Sequence, residues 1–107
     1  MAEILADAPV TTLVTYLPKP GREAALLDLV RGHWPVLRRL DLATETVPLL
    51  WRATDKRSGR ISFVELFEWT NAAASETAHH TPEVMAVWEA MGPLLDGLEL
   101  KQVDKVA

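Results

Sequence analysis

The sequence predicts an α+β chain in the order βαββαβ, a ferredoxin-like antiparallel sheet with two helices on one side. Three observations carry this reading. Runs rich in β-branched and aromatic residues alternate with two helical patterns in an order that right-handed crossovers close into a single sheet. No internal repeat, low-complexity linker or break in composition divides the 107 residues, a length that suits one domain spanning 1–107. The third strand, finally, is apolar on both faces, which a sheet covered by helices on one side alone does not need.

Residues 10–17 (VTTLVTYL) form the first predicted strand, stopped by Pro18, Lys19, Pro20 and Gly21 in a turn. Beyond the turn Leu26, Leu29, Val30, His33, Leu37 and Leu40 recur at helical spacing, while Arg22, Glu23, Asp28, Arg31 and Arg38 fall mostly elsewhere. Pro35 lies inside this helix and cannot donate to the carbonyl of Arg31, so a bend or a split is expected near Arg31 and Gly32, with His33 and Trp34 beside it.

Residues 46–54 and 60–69 read as two strands joined by a turn at 55–59, a hairpin. Pro48 removes a ladder donor and assigns the first of them to a sheet edge or a bulge. The alanine-rich stretch 71–78 is helix-like, and Thr81 before Pro82 and Glu83 has the composition of an N-cap with proline at the first helical position. Val84, Val87, Trp88, Met91 and Leu95 form the apolar stripe of this last helix, which Gly92, Pro93, Asp96 and Gly97 end. Residues 98–106 supply the final strand.

Along the third strand Ile61, Phe63, Phe67 and Trp69 share one face and Val64 and Leu66 the other. A second copy of the chain is the economical cover for the face that the helices leave open, so a homodimer is expected.

Composition excludes several function classes. Acidic residues outnumber basic ones 15 to 11 and no Lys/Arg stripe stands out, so a nucleic-acid partner is not expected. There is no cysteine, which removes disulfides, thiolate metal sites and cysteine nucleophiles. Residues 1–10 lack the basic start and apolar run of a signal peptide, and no run approaches the roughly 20 apolar residues of a membrane span. The expected location is the cytoplasm, away from membranes.

The aromatic-Glu pair ending strand three (Phe67-Glu68, before Trp69), His79 late in the short helical stretch, the Thr81-Pro82 helix start and Pro20-Gly21 ahead of the first helix come in an order that resembles the antibiotic biosynthesis monooxygenase family. The resemblance spans nearly the whole chain. It implies a dimeric α/β barrel with a pocket between sheet and helices in each subunit. Activities in that family vary; some members oxygenate polycyclic aromatic polyketides or quinols without flavin, metal or haem, and relatives degrade haem. The haem-degrading relatives carry an axial histidine in the last helix and an asparagine near the start of strand one. Here that helix holds Val87, Trp88 and Glu89 without a histidine, and the strand has threonines, so haem is not expected.

Cofactor-free oxygenation needs a base, donors that stabilise an enolate and a dry apolar cavity. His79 is the leading base, against the alternative of a surface histidine ahead of a helix start; His80 is the weaker candidate. Glu65 and Glu68 alternate onto opposite faces of strand three, so at most one shares a cavity with the helices. For Glu65 a cross-strand salt bridge to Arg52 or Arg60 is the simpler expectation, and Glu68 stays open between that role and catalysis. Four tryptophans, Trp34, Trp51, Trp69 and Trp88, suit a flat aromatic ligand. Trp88 sits on its helix stripe and Trp51 shares parity with Val47 and Leu49, so both also suit core packing; Trp34 and Trp69 are the better pocket candidates. No spacing among His33, His79, His80 and Glu83 matches a zinc or iron motif, and no metal or other cofactor is expected. The expectation is a cofactor-independent monooxygenase acting on a quinol or polycyclic aromatic, with His79 and Glu68 as catalytic candidates and Trp34, Arg52, Trp69 and Trp88 against the substrate. The alternative is a non-catalytic ligand-binding or stress-associated barrel, or a dimer with a filled core.

Overall fold

A computed structural model describes residues 8–107, so residues 1–7, which bear on the expected lack of a leader, lie outside it. Strands β1 (Val10–Pro18), β2 (Leu49–Thr54), β3 (Ile61–Trp69) and β4 (Leu95–Val103) and helices α1 (Glu23–Arg39), α2 (Ala74–Ala78) and α3 (Pro82–Met91) follow in the predicted order, with one 3₁₀ turn at Gly92–Leu94. The sheet order is β2-β3-β1-β4, and every neighbouring pair is antiparallel. This is the ferredoxin-like arrangement.

Local chemistry explains the joints. The Arg22 N–H donates to the Lys19 carbonyl at 3.0 Å, closing a turn with Pro20 second and Gly21 third; Gly21 takes φ 82°, which a type II turn requires at that place. Helix α1 ends on Asp41 at φ 59°, with Leu42 N–H bonded to the Leu37 carbonyl at 2.9 Å and Asp41 N–H to the Arg38 carbonyl at 3.1 Å. Those two bonds are a Schellman stop, and Leu37 and Leu42 are buried together beside it. In the β2–β3 hairpin the Asp55 carboxylate accepts from the backbone of Arg57 and Ser58 and from the Ser58 hydroxyl.

Four expectations need correction. Helix α1 is not split: Pro35 sits on the exposed side, where water can serve the carbonyl it leaves free. Strand β2 begins at Leu49 rather than 46, directly after Pro48, and is an edge strand as that proline requires. Strand β4 begins at Leu95 rather than 98, so Asp96 and Gly97 lie within it and do not end the helix. Thr81 has the extended backbone of an N-cap, but its hydroxyl donates to the Thr77 carbonyl at 2.8 Å and caps no N–H of α3.

The core lies between the sheet and the helices. Val14 and Tyr16 of β1 and Phe63, Phe67 and Trp69 of β3 meet Leu26, Val30 and Leu37 of α1 and Val84 and Met91 of α3. Each of these side chains stabilises the fold by about 1.5–3 kcal/mol on burial. Among the described residues nothing packs over the opposite face of the sheet. Register sets Leu49, Leu66 and Leu13 in one row across β2, β3 and β1, and Trp51 and Val64 in the next. Leu49 and Trp51 are each 50% exposed, so Trp51 is not a core residue of this chain.

Candidate active site

On the helix side a cavity of about 350 Å³ opens between β1, β3, β4 and the helices. Its wall is mainly apolar: Val14, Phe67, Trp69, Trp88, Met91 and Leu95, with Leu98 and Leu100 along its β4 edge. Phe67 and Trp69 are two apart on β3 and so share a face, their rings packed edge to face at 4.9 Å. The volume and lining suit a planar molecule of a few fused rings.

Three of the six residues predicted for the site come together here. Trp69, Trp88 and His79 all line the cavity, the His79 and Trp88 rings 4.8 Å apart. The other three lie elsewhere. Glu68 falls between Phe67 and Trp69, so strand parity turns it to the opposite face, where it accepts from the hydroxyls of Thr44 at 2.7 Å and Thr46 at 3.4 Å. Arg52 is exposed on edge strand β2, separated from the cavity by the sheet order. Trp34 follows His33 by one residue, about 100° around the helix, and packs against the core outside the cavity wall, its indole N–H buried without a partner among the described residues.

His79 sits at the C-terminal end of α2, exposed at the cavity mouth. Its Nδ1 lies 2.7 Å from the Ser75 carbonyl oxygen. A carbonyl only accepts, so Nδ1 carries the hydrogen and Nε2 keeps its lone pair in the neutral ring. In the neutral ring that nitrogen is free to accept a hydrogen bond or a proton.

A buried polar chain runs from the cavity wall, where Tyr16, His33 and Trp88 line it, down to Glu65. Glu65, 1% exposed, makes no salt bridge to Arg52 or Arg60; Arg60 instead pairs with Asp96 at 2.9 Å. The carboxylate accepts from the Tyr16 hydroxyl at 2.6 Å and lies 3.3 Å from His33 Nδ1, and Trp88 donates its indole N–H to His33 Nε2 at 2.9 Å. An indole N–H cannot accept, so His33 is protonated on Nδ1 and donates to Glu65. Burial above all, then the Glu65 charge and its hydrogen bond, hold the Tyr16 hydroxyl far above its ordinary pKa. Two signals pointed here: Glu65 shares parity with Phe63, Phe67 and Trp69, and His33 lies on the apolar stripe of α1.

Among the described residues no helix is long and apolar enough to cross a membrane. No family model matches the chain, and no curated protein sequence matches it. Solved structures do. SnoaB from Streptomyces nogalater, described as a cofactor-independent oxygenase, is 20% identical over 95% of this chain and 96% of its own, with a TM-score of 0.73. A crystal structure of an antibiotic biosynthesis monooxygenase is 18% identical over 92% of this chain and 99% of its own, at 0.69. PA3566 from Pseudomonas aeruginosa is 21% identical over 95% and 98%, at 0.65. At this level of identity the likeness is one of architecture. The chain is antibiotic biosynthesis monooxygenase-like in fold.

Proposed function

We propose that the cavity is the active site of a cofactor-independent monooxygenase acting on a quinol or a polycyclic phenol. The observation that carries this reading is His79, its Nδ1 tied to the Ser75 carbonyl and its Nε2 left to accept a proton at the mouth of an aromatic-walled cavity. Removal of the phenolic proton makes the ring electron-rich enough to be oxidised by dioxygen. For a substrate with a reactive ring methylene the balance closes without a further reductant. Two C–H bonds and the O–O bond break, a C=O bond forms, and the second oxygen leaves as water with the two protons. The substrate supplies the electrons. Trp69 lies in the wall and is the residue proposed to steady the developing oxyanion; Arg52, on the distant edge strand, is not.

SnoaB, a cofactor-independent oxygenase of the same fold, supports the reaction class by analogy. The active unit is proposed to be a homodimer, the second copy covering the row of Leu13, Leu49 and Leu66 with Trp51 and Val64.

Oxygen uptake with a panel of quinols, anthrones and hydroxylated naphthalenes, corrected for autoxidation, tests the reading. Uptake that falls in His79→Ala supports it. Tight binding of a panel member with no product by mass spectrometry overturns it in favour of a ligand-binding barrel.

A further inference from the structure

Burying a carboxylate and an imidazole inside an apolar core is costly, and well-packed hydrophobic residues usually do at least as well for stability. Glu65 and His33 are 1% and 3% exposed, and neither reaches a charged partner outside their own cluster. Their bonds run in one direction. Tyr16 and His33 both donate to the same Glu65 oxygen, and Trp88 donates to the far side of the His33 ring. Trp88 in turn lies between two imidazoles, with ring centres 6.1 Å from His33 and 4.8 Å from His79.

We infer that Glu65 is a positioning residue for the cavity, acting through His33 on Trp88 and so on the setting of His79. The inference rests on the cavity being the working site proposed above. A neutral imidazole has one N–H and one lone pair, and which nitrogen holds the hydrogen is decided by the bond that the other makes. The Glu65 carboxylate is the acceptor that keeps the hydrogen on Nδ1. Nε2 is thereby left to receive the Trp88 N–H, which ties α3 to α1 through a directional bond, and the indole presents a fixed face to His79. Without the acceptor, the Nε2–H form of His33 would face the Trp88 N–H with a second donor, and the indole would leave its seat. Tyr16 completes the carboxylate's shell but is not a link in the path to Trp88. The chain therefore couples Glu65, a buried carboxylate of the core, to His79 at the cavity mouth through His33 and Trp88, both of which line the cavity.

Nitrogen-15 NMR tests this independently of turnover. In the wild-type protein, His33 is expected to show the Nδ1–H form, and the Trp88 indole N–H, assigned by its loss in Trp88→Phe, to be displaced downfield of a free indole N–H. Glu65→Met, of similar reach but without the carboxylate, is expected to move the Trp88 signal toward the free-indole position and to displace the ring signals of His79, which does not touch Glu65. An Nε2–H form of His33 in the wild type overturns the inference with no variant needed. So does a folded Glu65→Met protein in which the Trp88 signal and the His79 ring signals stay at their wild-type positions. Loss of the Trp88 displacement in a protein that consumes no oxygen with any substrate keeps the positioning role and rejects the oxygenase; turnover with the displacement unchanged does the reverse.

Discussion

Tyr16 and Glu65, 49 positions apart in the chain, meet at 2.6 Å in the core, the phenol donating to the carboxylate. The contact follows from register: Tyr16 pairs with Phe63 and Val14 with Glu65, so both side chains leave the sheet on the helix face one step apart. Both are buried, and the phenol keeps its proton because its ionised form would be both desolvated and set against a charge.

This predicts the protein's behaviour in alkali. The ordinary phenol pKa is 10.0 and the folded one lies far higher, so Tyr16 contributes stability that is fully present below pH 10 and is lost as the pH rises beyond it, where only the unfolded chain ionises. Tyr16 is the sole tyrosine, so tyrosinate absorbance reports this residue alone. It should appear together with the loss of helical circular dichroism. Tyrosinate forming near pH 10 in a protein with intact dichroism would show that the phenol is not held as described.

Replacing Tyr16 by Phe removes the donor and keeps the ring. The bond runs to a charged group, so the variant should lose about 1.5–3 kcal/mol in urea denaturation. It should also lose the alkaline slope, since nothing in it titrates at that place. A loss below about 0.5 kcal/mol, within the range of ordinary surface changes, would mean that the Glu65 carboxylate is satisfied without Tyr16.

Much of the fold was legible in the residues because each element carries its own punctuation: Pro20-Gly21 before α1, Pro48 at an edge, Thr81-Pro82 before α3. The alternation of β3 likewise placed Phe67 and Trp69 on one face and Glu68 on the other. What stayed hidden was pairing. Cross-strand bridges between neighbouring strands point Glu65 at Arg52 or Arg60, but register puts Leu50 opposite Glu65 and leaves Arg52 opposite Phe63 on an exposed edge. The true partners come from β1 and α1, and only the packing of helix on sheet brings His33 to a residue 32 positions away. Asp96 and Gly97 misled for a related reason. They have the composition of a helix stop, yet Gly97 is placed in β4 by the need for space opposite Leu17.

That need is itself testable. A Cβ built on Gly97 comes within 2.9 Å of the Leu17 Cδ1, the far end of a flexible side chain. Gly97→Ala should therefore be mild, since one methyl can turn aside. Gly97→Val, with two more carbons in the same space, should cost about 1–3 kcal/mol by overpacking. In a double-mutant cycle Leu17→Ala should recover part of that loss, with a coupling of about 0.5–3 kcal/mol measured by denaturation. Purely additive losses would place the strain somewhere other than this contact.

The uncovered sheet face gives the remaining prediction. Leu49, Leu66 and Leu13 run in a row across three strands, with Trp51 and Val64 beside them, and at the β4 edge the rows continue into Lys101 and Glu99. An apolar centre with charged residues along its margin is the composition of an interface between subunits. Because Trp51 is half exposed in the single chain, Trp51→Lys should leave each subunit folded, changing its own stability by no more than about 0.5 kcal/mol. In an assembly the same lysine would have to bury its charge against the partner's apolar face, which is far more costly. Light scattering should therefore give twice the chain mass for the wild type and the single-chain mass for Trp51→Lys, with the same circular dichroism. A wild-type protein that scatters as a single chain in dilute buffer would remove the dimer from the proposal. A variant that still scatters as a pair would move the interface to another surface, leaving the cavity on the helix side, which belongs to one chain, as it is.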